Sequence, residues 1–134
     1  MYKIYTSYFS NKVFKGLNEQ ENVYRIPVCA ILYGNYTFTR WYKELAPDKE
    51  LLRQYNQIGY KTNAIKYWFS EKYLEKLEKL KKDNVLDTYI KELLELVKYN
   101  DVFLLCYEKP KEFCHRHILA SYLNEHYDLD ISEF

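Results

Sequence analysis

The side chains that can do chemistry crowd into one stretch, Cys106-Tyr107-Glu108-Lys109-Pro110-Lys111-Glu112-Phe113-Cys114-His115-Arg116-His117. It begins at the end of an apolar run, Val102 to Tyr107, that reads as a buried strand, and it closes where a helical pattern starts at Cys114. A strand end leading into a helix start puts free N–H groups and a partial positive charge beside these side chains. Such a place binds anions and lowers thiol pKa values. There Cys114 has the chemistry of a thiolate nucleophile, His115 of an acid or base, and Arg116 of a bidentate grip on phosphate or carboxylate. Glu108, at the strand end, has that of a general base or of a partner for Arg116. Glu108, Cys114 and His115 are therefore the expected catalytic residues, with Arg116 on the substrate. Consecutive helical residues point ~100° apart, so Cys114, His115 and Arg116 cannot all face one spot. A structural reading stands beside each role, since cysteines are usually buried and inert and a Glu108–Arg116 ion pair would pin the loop.

Two further groups have chemical potential. Thr6 and Ser7 close an early strand, and in a parallel sheet their hydroxyls share an edge with Glu108, where they can bind a polar ligand or satisfy loop backbone. Arg40 and Trp41, followed by Tyr42, suit stacking on a planar ring such as a base, or packing as a surface lid. Cys106, Cys114, His115 and His117 are soft ligand types. No Cys-x-x-Cys or His-x-x-x-His spacing is present and Cys106 falls within the strand, so the spacing predicts no structural zinc site. It specifies no cofactor either: three glycines leave neither a Gly-x-Gly-x-x-Gly nor a Walker-type loop.

The elements that must position these groups follow from hydrophobic pattern. Residues 2–9 are aromatic and β-branched and read as a strand. Residues 25–33 form an apolar run ending at Gly34-Asn35, a strand buried on both faces, with Pro27 expected near its beginning. Residues 11–22 read as loop or short helix, and 36–47 have no clean period. Helices are expected from Asp48 to Gly59, from a Ser70 N-cap through Lys81, from Val85 to Lys98 and from Cys114 to Tyr127, with a short final strand in 128–134. Tyr60, Tyr67 and Trp68 are expected to pack. This order predicts an α/β fold, one domain over residues 1–134, with a mostly parallel sheet flanked by helices in a Rossmann-like three-layer arrangement. In such sheets the ligand crevice lies beyond the carboxyl ends of the strands.

Length and composition narrow the rest. A chain of 134 residues with 48% hydrophobic residues buries a core without staples. A net charge of +1 argues against broad polyanion binding and leaves room for a local anion pocket. No apolar run reaches the ~18–20 residues of a membrane helix, so no membrane partner is expected. Three cysteines, with no signal-peptide pattern at the start, point to free thiols in a reducing, cytoplasmic setting.

The stretch Leu104-Leu105-Cys106-Tyr107-Glu108-Lys109-Pro110 with Phe113-Cys114-His115-Arg116-His117 resembles the signature of the family called domain of unknown function 488. Ile4-Tyr5-Thr6-Ser7-Tyr8-Phe9 and Trp41-Tyr42…Leu45-Ala46-Pro47 are similar to its small members, so the resemblance spans roughly Tyr2 to Leu123. It implies a compact α/β domain and a site at Glu108, Cys114, His115 and Arg116, with Thr6 and Ser7 as companions; it names no reaction. Residues and resemblance together lead to an expected small enzyme for a phosphorylated or nucleotide-like substrate. The alternatives are a nucleotide- or nucleic-acid-binding module built on Arg40, Trp41 and Arg116, and a purely structural signature.

Overall fold

The structure, a computed structural model, describes residues 1–12, 22–32, 38, 40–108 and 112–134. Within them four strands form one sheet: β1 (Ile4–Tyr8), β2 (Val23–Pro27), β3 (Asp101–Cys106) and β4 (Ser132–Glu133). The order is β2-β3-β1-β4 and every pairing is parallel. The helices are α1 (Lys49–Gln57), α2 (Asn63–Lys82), α3 (Val85–Leu96) and α4 (His115–Tyr127), and a 3-10 turn spans Lys43–Leu45. The fold is α/β, an all-parallel sheet flanked by helices, consistent with a three-layer Rossmann-like arrangement.

β3 explains why its sequence does not alternate. It lies between β2 and β1, and Val102 through Cys106 are all buried. Val102 and Leu104 enter the larger core, with Ile4, Ile26, and residues of α2, α3 and α4. Phe103 and Leu105 enter a second cluster with Phe9, Cys29, Cys106 and Cys114. A strand used on both faces needs apolar residues at every position.

β2 ends at Pro27 rather than beginning there. The carbonyls of Arg25 and Pro27 turn outward and accept from Arg40 N at 3.3 Å and Tyr42 N at 2.9 Å. In an extended strand the amide of a residue points the same way as its carbonyl, so the N–H that Pro27 lacks is not one the β3 ladder needs. Val28 N resumes the ladder on Leu105 O at 2.9 Å, and the apolar run Val28–Ala30 continues as buried loop. The expectations for residues 13–21, 33–37, 39 and 109–111 lie outside the described residues.

α2 begins one and a half turns or more before Ser70. Thr62 is its N-cap, and its side chain accepts from Ile65 N at 3.2 Å. Ser70 sits inside the helix and donates to Lys66 O at 2.8 Å. The early start carries Tyr67 into solvent at 67% exposure, and Tyr60 is at 79%, so neither is the packing residue expected. Phe69, Tyr73 and Leu77 form the buried stripe. Thr62→Ala should therefore lower the stability measured by urea denaturation by about 1 kcal/mol, against less than ~0.5 kcal/mol for Ser70→Ala. Equal losses would move the cap.

Candidate functional site

The carboxyl ends of β2 and β3 open into a cavity of about 300 Å³. Cys29, Ala30 and Ile31 form its wall after β2, and Cys106, Tyr107 and Glu108 its wall after β3. His115 contributes from the start of α4, and Lys49, Leu52, Arg53 and Asn56 face it from α1. The rim is where the parallel-sheet rule puts a crevice.

Consecutive residues at the head of α4 do three different jobs. Cys114 is the N-cap residue, in extended conformation, and its thiol is buried beside Cys106. His115 turns to the cavity: its Nε2 lies 2.6 Å from Val28 O. A carbonyl only accepts, so Nε2 carries a proton, and Nδ1 faces the sulfurs, 4.0 Å from Cys106 Sγ and 3.9 Å from Cys114 Sγ. Tyr73 closes the far side with an edge contact on the imidazole. Cys106 Sγ also donates to Glu108 Oε2 at 3.2 Å. Cys106, Cys114, His115 and Glu108 thus form one cluster, with Cys106, Glu108 and His115 on the cavity surface and Cys114 directly behind.

Arg116 points elsewhere and is 0% exposed. Its Nε and Nη2 donate to Glu133 of β4 at 3.2 and 2.8 Å, and its Nη1 donates to the backbone carbonyl of Glu108 at 2.5 Å. The carboxylate partner of Arg116 is therefore Glu133, not Glu108. Thr6 joins this pair, donating to Glu133 Oε1 at 2.7 Å, while Ser7 accepts from Asn11 Nδ2 at 3.1 Å. Neither hydroxyl lines the cavity. Arg40 is half-exposed and paired with Glu92 of α3 at 2.5 Å. The Trp41 indole donates to Cys29 O at 2.8 Å and so braces the cavity wall from behind.

The electrostatics follow from this packing. Hydrogen bonding between the sulfurs, with burial, raises the Cys106 pKa. The same bond pulls Cys114 down against the opposing effect of burial, helped by His115 and the Arg116 backbone N–H. Burial, and then the charge of Cys114, raise the Glu108 carboxyl. Cys29, in the same cavity, is pushed up to about 12 by burial. The packing thus favours charge on one buried sulfur, Cys114, and disfavours it on Cys106, Cys29 and Glu108. The donor atoms of Cys106, Cys114 and His115 lie within 4.8 Å of one another and are of a type that holds soft metals.

Six contributors escaped the sequence reading. Cys106 was read as strand core, although its place at the strand end was visible. Lys49, Arg53 and Asn56 carried a signal, a polar i, i+4, i+7 stripe on an amphipathic helix. Glu133 and the Val28 carbonyl carried none, because only tertiary contact brings them in.

The fold and cluster define a parallel α/β protein with a thiol, imidazole and carboxylate site at its strand ends. The chain belongs to the family whose model is described as DUF488-N3a, Active DUF488-N3 subclade, which matches residues 14–127. No curated protein and no solved structure matches the chain.

Glu133→Ala leaves the buried guanidinium of Arg116 without its carboxylate. The expected loss of stability is about 3–5 kcal/mol by urea denaturation. A loss under ~1 kcal/mol would show that Arg116 does not need this partner.

Proposed function

We propose that this chain is a small enzyme that acts by thiol chemistry on a phosphorylated or nucleotide-like substrate. The observation that carries the reading is the convergence of Cys106, His115 and Glu108 on one cavity, with the Cys114 thiol directly behind them. The Cys106–Cys114 pair supplies the nucleophile. His115 has the anchored geometry of a base, with its other nitrogen fixed on Val28 O, and Glu108 moves the proton to or from the leaving group. Binding of the anion falls to Lys49 in the cavity wall, since Arg116 is committed to Glu133 and Arg53 is paired with Glu50. The volume of about 300 Å³ is at the small end for ligand sites and suits a small molecule rather than a polymer. The description of the subclade as active accords with chemistry. A cytoplasmic setting, which keeps thiols reduced, goes with the same reading.

The binding-module alternative loses its main residues to other partners: Arg40 to Glu92, the Trp41 indole N–H to Cys29, Arg116 to Glu133. Two measurements test the enzyme. In the first, native reduced protein is treated with iodoacetamide at neutral pH and the labelled peptides are mapped. Cys29 shares the cavity and is the internal control for access. The Cys106–Cys114 pair should label at least ~10-fold faster than Cys29. Labelling of Cys29 at an equal rate would remove the nucleophile. In the second, phosphorylated and nucleotide compounds are screened for turnover. Glu108→Gln and Cys114→Ser should each cost ~100-fold or more in kcat. Binding without turnover in the wild-type protein would leave the module reading in its place.

A further inference from the structure

Cys106 Sγ and Cys114 Sγ stand 4.0 and 3.9 Å from the same ring nitrogen, His115 Nδ1, and all three donors lie within 4.8 Å of one another. A tetrahedral zinc ion has Zn–S of ~2.3 Å and Zn–N of ~2.0–2.1 Å, which sets the S···N edge at roughly 3.6 Å. Each edge here would shorten by only about 0.3–0.4 Å to close on the ion.

Three independent features suit a metal. The imidazole is backed as metal-bound imidazoles are, its other nitrogen donating to the Val28 carbonyl, which fixes both tautomer and ring plane. The donor set, two sulfurs and one nitrogen, selects zinc over magnesium or calcium. Two thiolates formed on binding also neutralise the divalent charge of the ion. The fourth coordination position faces the cavity, where Glu108 Oε2 lies 3.2 Å from Cys106 Sγ. Local spacing hides the set because its donors come from the end of β3 and the head of α4.

We propose that Cys106, Cys114 and His115 form a three-donor zinc site open to the cavity, and that Zn²⁺ bound there switches the thiol chemistry off. Binding forms two Zn–S bonds and one Zn–N bond and releases to solvent the protons that the two thiols carry. A sulfur bonded to the ion gives up electron density to it and is a weaker nucleophile than the free thiolate. The switch rests on the thiol reading given under Proposed function; the metal site itself does not.

Cobalt(II) added to reduced, metal-free protein under anaerobic conditions reports on the site directly. One equivalent should give thiolate-to-cobalt charge-transfer absorption and tetrahedral d–d bands, both abolished by one equivalent of Zn²⁺. Cys106→Ser and Cys114→Ser should each lose charge-transfer intensity, and Cys29→Ser should keep it. Zn²⁺ should slow iodoacetamide labelling of Cys106 and Cys114 at least tenfold, with recovery on adding EDTA. Absence of the charge-transfer band in the wild-type protein overturns the site without recourse to any variant, however fast the thiols label. A band lost in Cys29→Ser and kept in Cys114→Ser also overturns it. A normal band with no protection from labelling upholds the site and overturns the switch. A normal band on a protein whose metal-free thiols label no faster than Cys29 upholds the site and overturns the nucleophile.

Discussion

The carboxyl edge of the sheet is held by one buried cation. Arg116 has no contact with solvent, and its guanidinium joins β4 through Glu133, β1 through the Thr6 hydroxyl on the same carboxylate, and the chain after β3 through the Glu108 carbonyl. A guanidinium sealed from water is tolerable only when its hydrogen bonds are met in fixed geometry. That demand determines how α4 sits on the sheet. With Arg116 locked one residue further along, His115 and Cys114 are rotated onto the opposite side, toward β2 and β3. The cation that looked like a substrate grip is thus the anchor that aims the other two.

This division of labour is what helical geometry requires of three neighbouring polar residues. The free N–H groups at the head of α4 are usually an invitation to an external anion. Here Cys114 is the N-cap residue, and the Arg116 backbone N–H favours the charged form of its thiol. A charge on Cys114 in turn raises the pKa values of Cys106 and Glu108.

What could be read from the residues divides along the range of the contacts. β3, α3 and α4 were legible because an apolar run or an apolar stripe is a local pattern that burial imposes. The start of α2 was not, since Thr62 and Ser70 are both good caps and only the packing of Phe69 on Tyr55 and Phe113 decides between them. Pro27 was placed at the wrong end of β2 for a related reason. A missing amide is tolerated wherever it faces away from the ladder, and which way it faces depends on the 40–42 segment that covers the strand. In the candidate site, the composition of the Glu108–His117 stretch was visible, but its connections were not. Glu133 lies seventeen residues beyond Arg116, and Val28 eighty-seven before His115.

The same distinction explains why the donor set resists recognition by motif. Ligand spacings such as Cys-x-x-Cys work because one turn or hairpin delivers both donors. In this protein the strand end delivers one sulfur and the helix cap the other, and a loop carbonyl from a third segment fixes the imidazole. Each of those placements is secured by something other than the site. β3 is held by apolar burial on both faces, α4 by Arg116 and Glu133, and the β2 loop by the Trp41 indole on Cys29 O. A cluster assembled from parts already fixed for other reasons keeps its geometry whether its sulfurs carry protons, a charge or an ion. That rigidity lets chemistry occur in a cavity with so few residues of its own.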